Sequence, residues 1–88
     1  MATMPYIHQN GTSADELVQL RSDAYAALDE ARESLKKCGP NGRDYYPYGD
    51  PSKFDDAIRQ HMDRLRRIDS IMKELEEEME YIQSQEGN

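Results

Sequence analysis

Nine positions between Phe54 and Ile82 constrain this chain more than anything else in it. Phe54, Ile58, His61, Leu65, Ile68, Met72, Leu75, Met79 and Ile82 follow one another at alternating spacings of four and three residues over four heptads. That repeat averages about 3.5 residues per turn, slightly tighter than a straight helix, so the stripe keeps facing a neighbour only where two helices wrap left-handedly. A long helix and a helical partner are the first expectations. One polar residue, His61, interrupts the apolar seam.

The partner must come from upstream. Ser13 and Glu16 match the capping box S-x-x-E, in which the two side chains satisfy backbone donors of a first helical turn. From there Leu17, Leu20, Ala24, Leu28, Ala31, Leu35 and Cys38 recur at helical spacing, with Ala27 beside them. Lys36 and Lys37 complement the negative end of the helix dipole, and Gly39-Pro40 stops the helix. A first helix is therefore expected over 13–38. Asp50 before Pro51 reads as an N-cap followed by the residue best tolerated at the first helical position, which opens a second helix over 51–85. Residues 39–50 form the connection and 86–88 a tail. Residues 1–12, with Pro5 and Asn10-Gly11 but no periodicity, form an extended arm. The fold class is all-α: an antiparallel, coiled-coil-like two-helix hairpin. Its second helix outruns the first by roughly two turns, so the first helix ends level with Met72 to Glu78. Met79, Tyr81 and Ile82 are left for the arm to cover through Tyr6 and Ile7.

A hairpin buries only one side of each helix. In a chain of this size one core rarely supplies more than about 3–5 kcal/mol without a disulfide, a metal or oligomerisation. Val18 and Tyr25 on the first helix, and Ala57, Met62, Arg64 and Ile71 on the second, lie outside the two seams. They are candidates for a second interface, through which hairpins self-associate as a dimer or higher even oligomer in a helical bundle.

Composition narrows the setting. Cys38 is the single cysteine, so no internal disulfide forms, and a lone thiol in a highly charged chain points to a reducing, cytoplasmic compartment. The opening MATMPYIHQNGTS has neither the basic nor the apolar part of a secretion signal, and no run approaches the ~20 apolar residues of a membrane span. The net charge of −7 argues against direct binding of nucleic acid, but it is unevenly spread. Residues 36–67 carry eight Lys and Arg against five Asp, a balance of +3, whereas the remainder carries three bases against thirteen acids, a balance of −10. The acidic run Glu74, Glu76, Glu77, Glu78 and Glu80 reads as a solvated helix face or, alternatively, as an acidic mimic of nucleic acid.

No catalytic constellation accompanies this architecture. His8, His61, Cys38 and the scattered acids show no H-x-x-x-H, C-x-x-C or E-x-x-H spacing, and NGRDYYPYGD has neither the order nor the preceding strand of a phosphate loop. The expectation is a non-enzymatic protein without metal or cofactor. His61 reads as a packed histidine that fixes register, as a pH-sensitive contact, or as a ligand. The connection is the candidate site, because it is longer than the ~2–8 residues usual between packed helices. It gathers Tyr45, Tyr46 and Tyr48 with Arg43, Asp44 and Lys53. Tyr and Arg anchor interfaces by combining area with a polar tip. The same tyrosines could also plug the end of a bundle, with Arg43 paired to a carboxylate, and the two readings are compatible.

The run Asn41-Gly42-Arg43-Asp44-Tyr45-Tyr46-Pro47, followed by Phe54, His61, Arg64 and Leu65, resembles a set of short bacterial and phage helical-hairpin proteins that carry R-D-Y-Y-P between two predicted helices. The similarity covers roughly residues 15–82. It implies the hairpin, weight on the turn and a phage-encoded accessory or host-modulating, anti-defence type of role, but no assigned activity. The functional expectation is a binding protein that engages an unidentified protein partner through the turn. The alternative is an oligomeric binder or sponge for a small anionic, nucleotide-type ligand, with Tyr45 or Tyr46 stacking on a base and Arg43 holding phosphate.

Overall fold

The computed structural model describes residues 2–86. Helix α1 spans Ala14–Lys36 and helix α2 spans Pro51–Glu86, and they pack antiparallel as a hairpin of 63 × 21 × 18 Å. The fold is all-α, with no strand among the described residues. Of the expected tail, Glu86 ends α2, and Gly87 and Asn88 lie outside the described residues.

Local chemistry sets the ends of α1. The Ser13 hydroxyl accepts the Glu16 N–H at 3.2 Å, and Asp15 and Glu16 occupy the positive first turn. At the other end the helix tightens rather than stopping at Gly39. The N–H groups of Lys37, Cys38 and Gly39 donate to Ser34, Leu35 and Lys36, three residues back.

The α2 seam faces inward much as its spacing dictates. His61, Leu65, Met72 and Ile82 are buried, Phe54, Ile68, Leu75 and Met79 are half-buried, and Ile58 is just exposed. The α1 seam is different from the one read in the sequence. Leu20, Ala24, Ala31 and Cys38 are exposed, whereas Ala14, Leu17, Val18, Arg21, Tyr25, Leu28, Arg32 and Leu35 are buried or half-buried. Val18 and Tyr25, assigned above to a second interface, instead face α2. Positions 14, 18, 21, 25, 28, 32 and 35 form their own alternating four-three heptad, with two arginines and a tyrosine in it. These long side chains lay their stems on the seam and send their polar tips to α2. Arg21 Nε donates to Glu78 at 2.6 Å, Tyr25 Oη to Glu76 at 2.7 Å, and Arg32 Nε to Asp69 at 2.5 Å.

These pairs also set the alignment. Because Arg21 is level with Glu78, the first turns of α1 reach beyond the Met72–Glu78 level expected for its end and lie over Met79 and Ile82. Ile82 is fully enclosed, and the arm lies beside that end, where Pro5, Tyr6 and Ile7 line a shallow pocket with Tyr81 and Gln85; Ile7 is half-buried, but Tyr6, expected to cover the seam, is 85% exposed.

Two measurements probe this packing. Leu65→Ala, in the buried centre of the seam, should destabilise the fold by about 2–5 kcal/mol in urea unfolding. The Arg32 guanidinium, through its hydrogen bond, holds the Asp69 carboxyl below the usual carboxylate range. A lowered folded-state value means that the pair stabilises the fold above the ordinary carboxylate range and loses that contribution as pH falls through the Asp69 value. The melting difference between wild type and Asp69→Asn should therefore be constant above about pH 5 and close progressively below about pH 4.

Candidate functional site

The connection lies along α2 instead of capping the end of the hairpin. Gly39 begins it: a Cβ there would stand 3.3 Å from the Lys36 carbonyl oxygen and 3.5 Å from His61 Nε2. The absence of a side chain lets the backbone pass close over buried His61. Asn41 then accepts the Arg43 N–H on its side chain at 3.1 Å and opens a short 3-10 turn, Gly42–Asp44. A second such turn, Tyr46–Tyr48, contains Pro47, whose fixed φ suits it. The Gly49 N–H closes that turn on the Tyr46 carbonyl at 2.9 Å. Gly49 itself adopts φ 69°, the left-handed region, and reverses the chain into α2. Asp50 caps the new helix by accepting the Ser52 N–H at 3.0 Å, and that bond holds its carboxyl below the usual range.

This frame builds a pocket of about 300 Å³ lined by Gly42, Tyr45, Tyr46, Gly49, Asp50, Pro51 and Phe54. The half-buried Tyr45 ring tilts against Phe54 with centroids 5.9 Å apart. Tyr46 forms an outer wall and is 76% exposed. The Asp50 carboxylate is the one charged group among the lining residues. Outside the pocket, Lys53 Nζ sits 6.0 Å from the centre of the exposed Tyr48 ring. Arg43 and Asp44 are exposed and do not line the pocket, and Arg43 makes no ion pair among the described residues.

Of the turn residues picked out by sequence, the pocket thus brings together Tyr45 and Tyr46, with Tyr48 and Lys53 paired beside it. Gly42, Gly49, Asp50, Pro51 and Phe54 were not read as lining residues. The Asp50-Pro51 pair and the glycines carried that signal, since a turn that needs a left-handed residue and a capped helix start leaves little freedom for what lies between them. Tyr45 packs on Phe54, as a plug would, whereas Tyr46 and Tyr48 are exposed and Arg43 meets no carboxylate among the described residues.

The remaining candidates sit elsewhere. His61 is buried under the connection at Gly39, and its ring makes no hydrogen bond among the described residues. No group of three His, Cys, Asp or Glu among them is placed to hold a metal ion. In the acidic run, Glu76 and Glu78 are engaged by Tyr25 and Arg21, and the Glu76 carboxylate raises the Tyr25 hydroxyl above its ordinary value. No described helix is long and apolar enough to cross a membrane. No protein-family model, curated protein or solved structure matches the chain.

Gly49 offers a clean probe of the frame. A Cβ at Gly49 meets nothing within 4 Å, so Gly49→Ala carries only the left-handed backbone cost, about 1–2 kcal/mol. A melting point lower by at least about 4 °C is expected. Gly42→Ala, whose Cβ meets Phe54 at an ordinary 3.8 Å, should melt close to wild type.

Proposed function

We propose that this chain is a self-associating, non-enzymatic binding protein that captures a protein partner at the tyrosine-rich turn, taking an apolar or basic side chain of that partner into the turn pocket. The observation that carries this reading is the pocket's chemistry: aromatic walls from Tyr45, Tyr46 and Phe54 around a single carboxylate, Asp50. Aromatic faces attract cations and aliphatic stems alike, and a carboxylate at the rim pairs with a guanidinium or ammonium. Exposed Tyr46 and Tyr48, and Arg43, which makes no ion pair among the described residues, extend the surface around it in the residue types that most often anchor interfaces.

A nucleotide-type ligand fits less well. Its phosphate needs cations where the base stacks, but the group beside the aromatic rings is Asp50, and Arg43 lies outside the lining. Acidic mimicry is weakened because Glu76 and Glu78 are tied to α1. A host-modulating role in the cytoplasm of a bacterium rests on the resemblance of the R-D-Y-Y-P turn to bacterial and phage hairpins.

The test compares immobilised wild type, Tyr46→Ala, Asp50→Asn and Arg66→Ala in bacterial lysate, followed by calorimetry with the protein retained. Tyr46 is largely exposed, so its truncation should leave the melting point near wild type yet weaken binding by about thirtyfold or more, the ~2 kcal/mol of an interface anchor. Arg66→Ala, on exposed α2 surface away from the turn, should bind as wild type. Equal losses at Tyr46 and Arg66, or a melting point raised by nucleotides but by no protein, would reject the reading.

A further inference from the structure

The hairpin has one flank that α2 and α1 do not cover for each other. Arg32 and Tyr25 brace one flank by reaching α2 at Asp69 and Glu76, and Arg21 bridges to Glu78 on the other flank only near its acidic end. On the other, Leu35 meets Arg64, Arg67, Ile68 and Ile71 around an open groove. Leu20, Ala24, Ala27 and Ala31 recur along α1 at spacings of four, three and four, and Leu28 and Leu35 follow Ala24 and Ala31 by four residues. They therefore continue the Leu35 flank along the helix. Leu20 is 57% exposed and Ile71 46%. The flank is apolar along α1, whereas on α2 it is apolar at Ile68 and Ile71 and bordered by Arg64 and Arg67; over the length of α1 it measures about 34 by 20 Å, on the order of 700 Å² per copy. A stable interface needs about 800 Å² per partner.

We infer that this flank is the self-association surface, occupied by a second copy of the chain in an antiparallel two-fold arrangement centred on Ile71. The proposal rests on the self-association in the reading above and specifies its face and direction. Charge decides the direction. The half of the chain around the turn carries +3 and the remainder −10, so a parallel pair stacks like charge on like, whereas a two-fold that reverses the long axis sets basic halves against acidic ones. About an axis at Ile71, Arg64 of each copy falls level with Glu78 of the other and Arg67 comes within one residue of the level of Glu74; Glu78 is already bridged to Arg21 and Arg67 to Asp63 within each copy, so each contact across the axis extends an existing pair. Arg64 and Glu74 have no ion-pair partner among the described residues. Ile71 stands level with residues 29 and 30, because Arg32 pairs with Asp69 and Arg21 with Glu78. The same axis thus brings Ala27 opposite Ala31 and Leu20 opposite Cys38, and small residues at the centre let the two α1 helices approach closely. The turn pockets stay open at opposite ends, about 50 Å apart at 1.5 Å per residue.

Sedimentation equilibrium over a broad concentration range, with circular dichroism on every variant, tests this. The wild type is expected to dimerise, and Leu20→Glu combined with Ile71→Glu to be monomeric with an unchanged helical spectrum, since both positions are exposed. Arg67→Glu and Glu74→Arg should each weaken the dimer by about tenfold or more, and the double swap should restore it. A wild type that stays monomeric throughout would overturn both self-association and this surface. A dimer that survives Leu20→Glu with Ile71→Glu would leave self-association standing and overturn the surface. Failure of the double swap to restore would overturn the antiparallel register.

Discussion

The two helices differ in length by thirteen residues, roughly 20 Å at 1.5 Å per residue. Most of the architecture answers that mismatch. Over the length of α1, its heptad covers the α2 seam. Beyond Leu35 the seam continues through His61 and Phe54, and something else must keep water off it. The connection does this by running back along α2, with Gly39 over His61 and Tyr45 and Gly42 against Phe54. Its unusual length is therefore structural before it is functional. A two- or three-residue loop would end α1 level with the start of α2 and would need about four more turns of helix to do the same covering.

That economy creates the pocket. A helix laid over Phe54 would bury the ring with side chains at regular spacing and leave no concavity. Two short 3-10 turns meeting at a bend cannot fill the space evenly, since each offers three residues and a change of direction. Tyr45 fills part of it, Tyr46 is carried to the outside, and the left-handed Gly49 turns the chain away before Asp50. The cavity sits at the point where irregular backbone stands in for helix, with an exposed aromatic and a helix-capping carboxylate at its rim.

The legible part of the fold was the part written in large apolar residues. The α2 stripe carries Phe, Ile, Leu and Met at strict spacing, so its face could be read directly, whereas the overhang expected at Met79 to Ile82 falls instead at the turn end, because the Arg21–Glu78 register carries α1 over Met79 and Ile82. On α1 the stripe read from the sequence is rotated off the true face: Leu17, Leu28 and Leu35 are half-buried, but Leu20, Ala24, Ala31 and Cys38 are exposed. The apolar pattern ranks Ala24 and Ala31 above Arg21 and Arg32 because it scores side chains by polarity, whereas the seam uses the aliphatic stems of the arginines and the ring of Tyr25 and lets their tips find carboxylates on α2. The true heptad, 14 to 35, is as regular as the one on α2. It becomes visible only when Glu76, Glu78 and Asp69 are recognised as its partners. The turn's aromatic content was legible, but its concavity was not, because the pocket depends on which way Gly49 bends the chain.

The polar tips also explain how the charge is used. Arg21 and Arg32 are two of the three basic residues outside the 36–67 segment, and both are committed to acids across the hairpin. The Arg21–Glu78 bridge is well shielded, with only 21% and 15% of the side chains exposed, and Arg21 also donates to the Leu17 carbonyl. Once they are paired, little basic charge remains at the acidic end to balance Glu74, Glu77 and Glu80, while at the other end Arg43, Arg64 and Arg66 stay without an ion pair among the described residues. The packing of a monomer thus sharpens the polarity of its surface along the long axis. A rod 63 Å long with opposite charge at its two ends exceeds the ~8 Å screening length at physiological salt, so its ends act separately in any encounter. Bringing unlike ends together lowers the energy of association, and the uncovered flank of Leu20, Leu35 and Ile71 runs along the direction in which that reversal must occur.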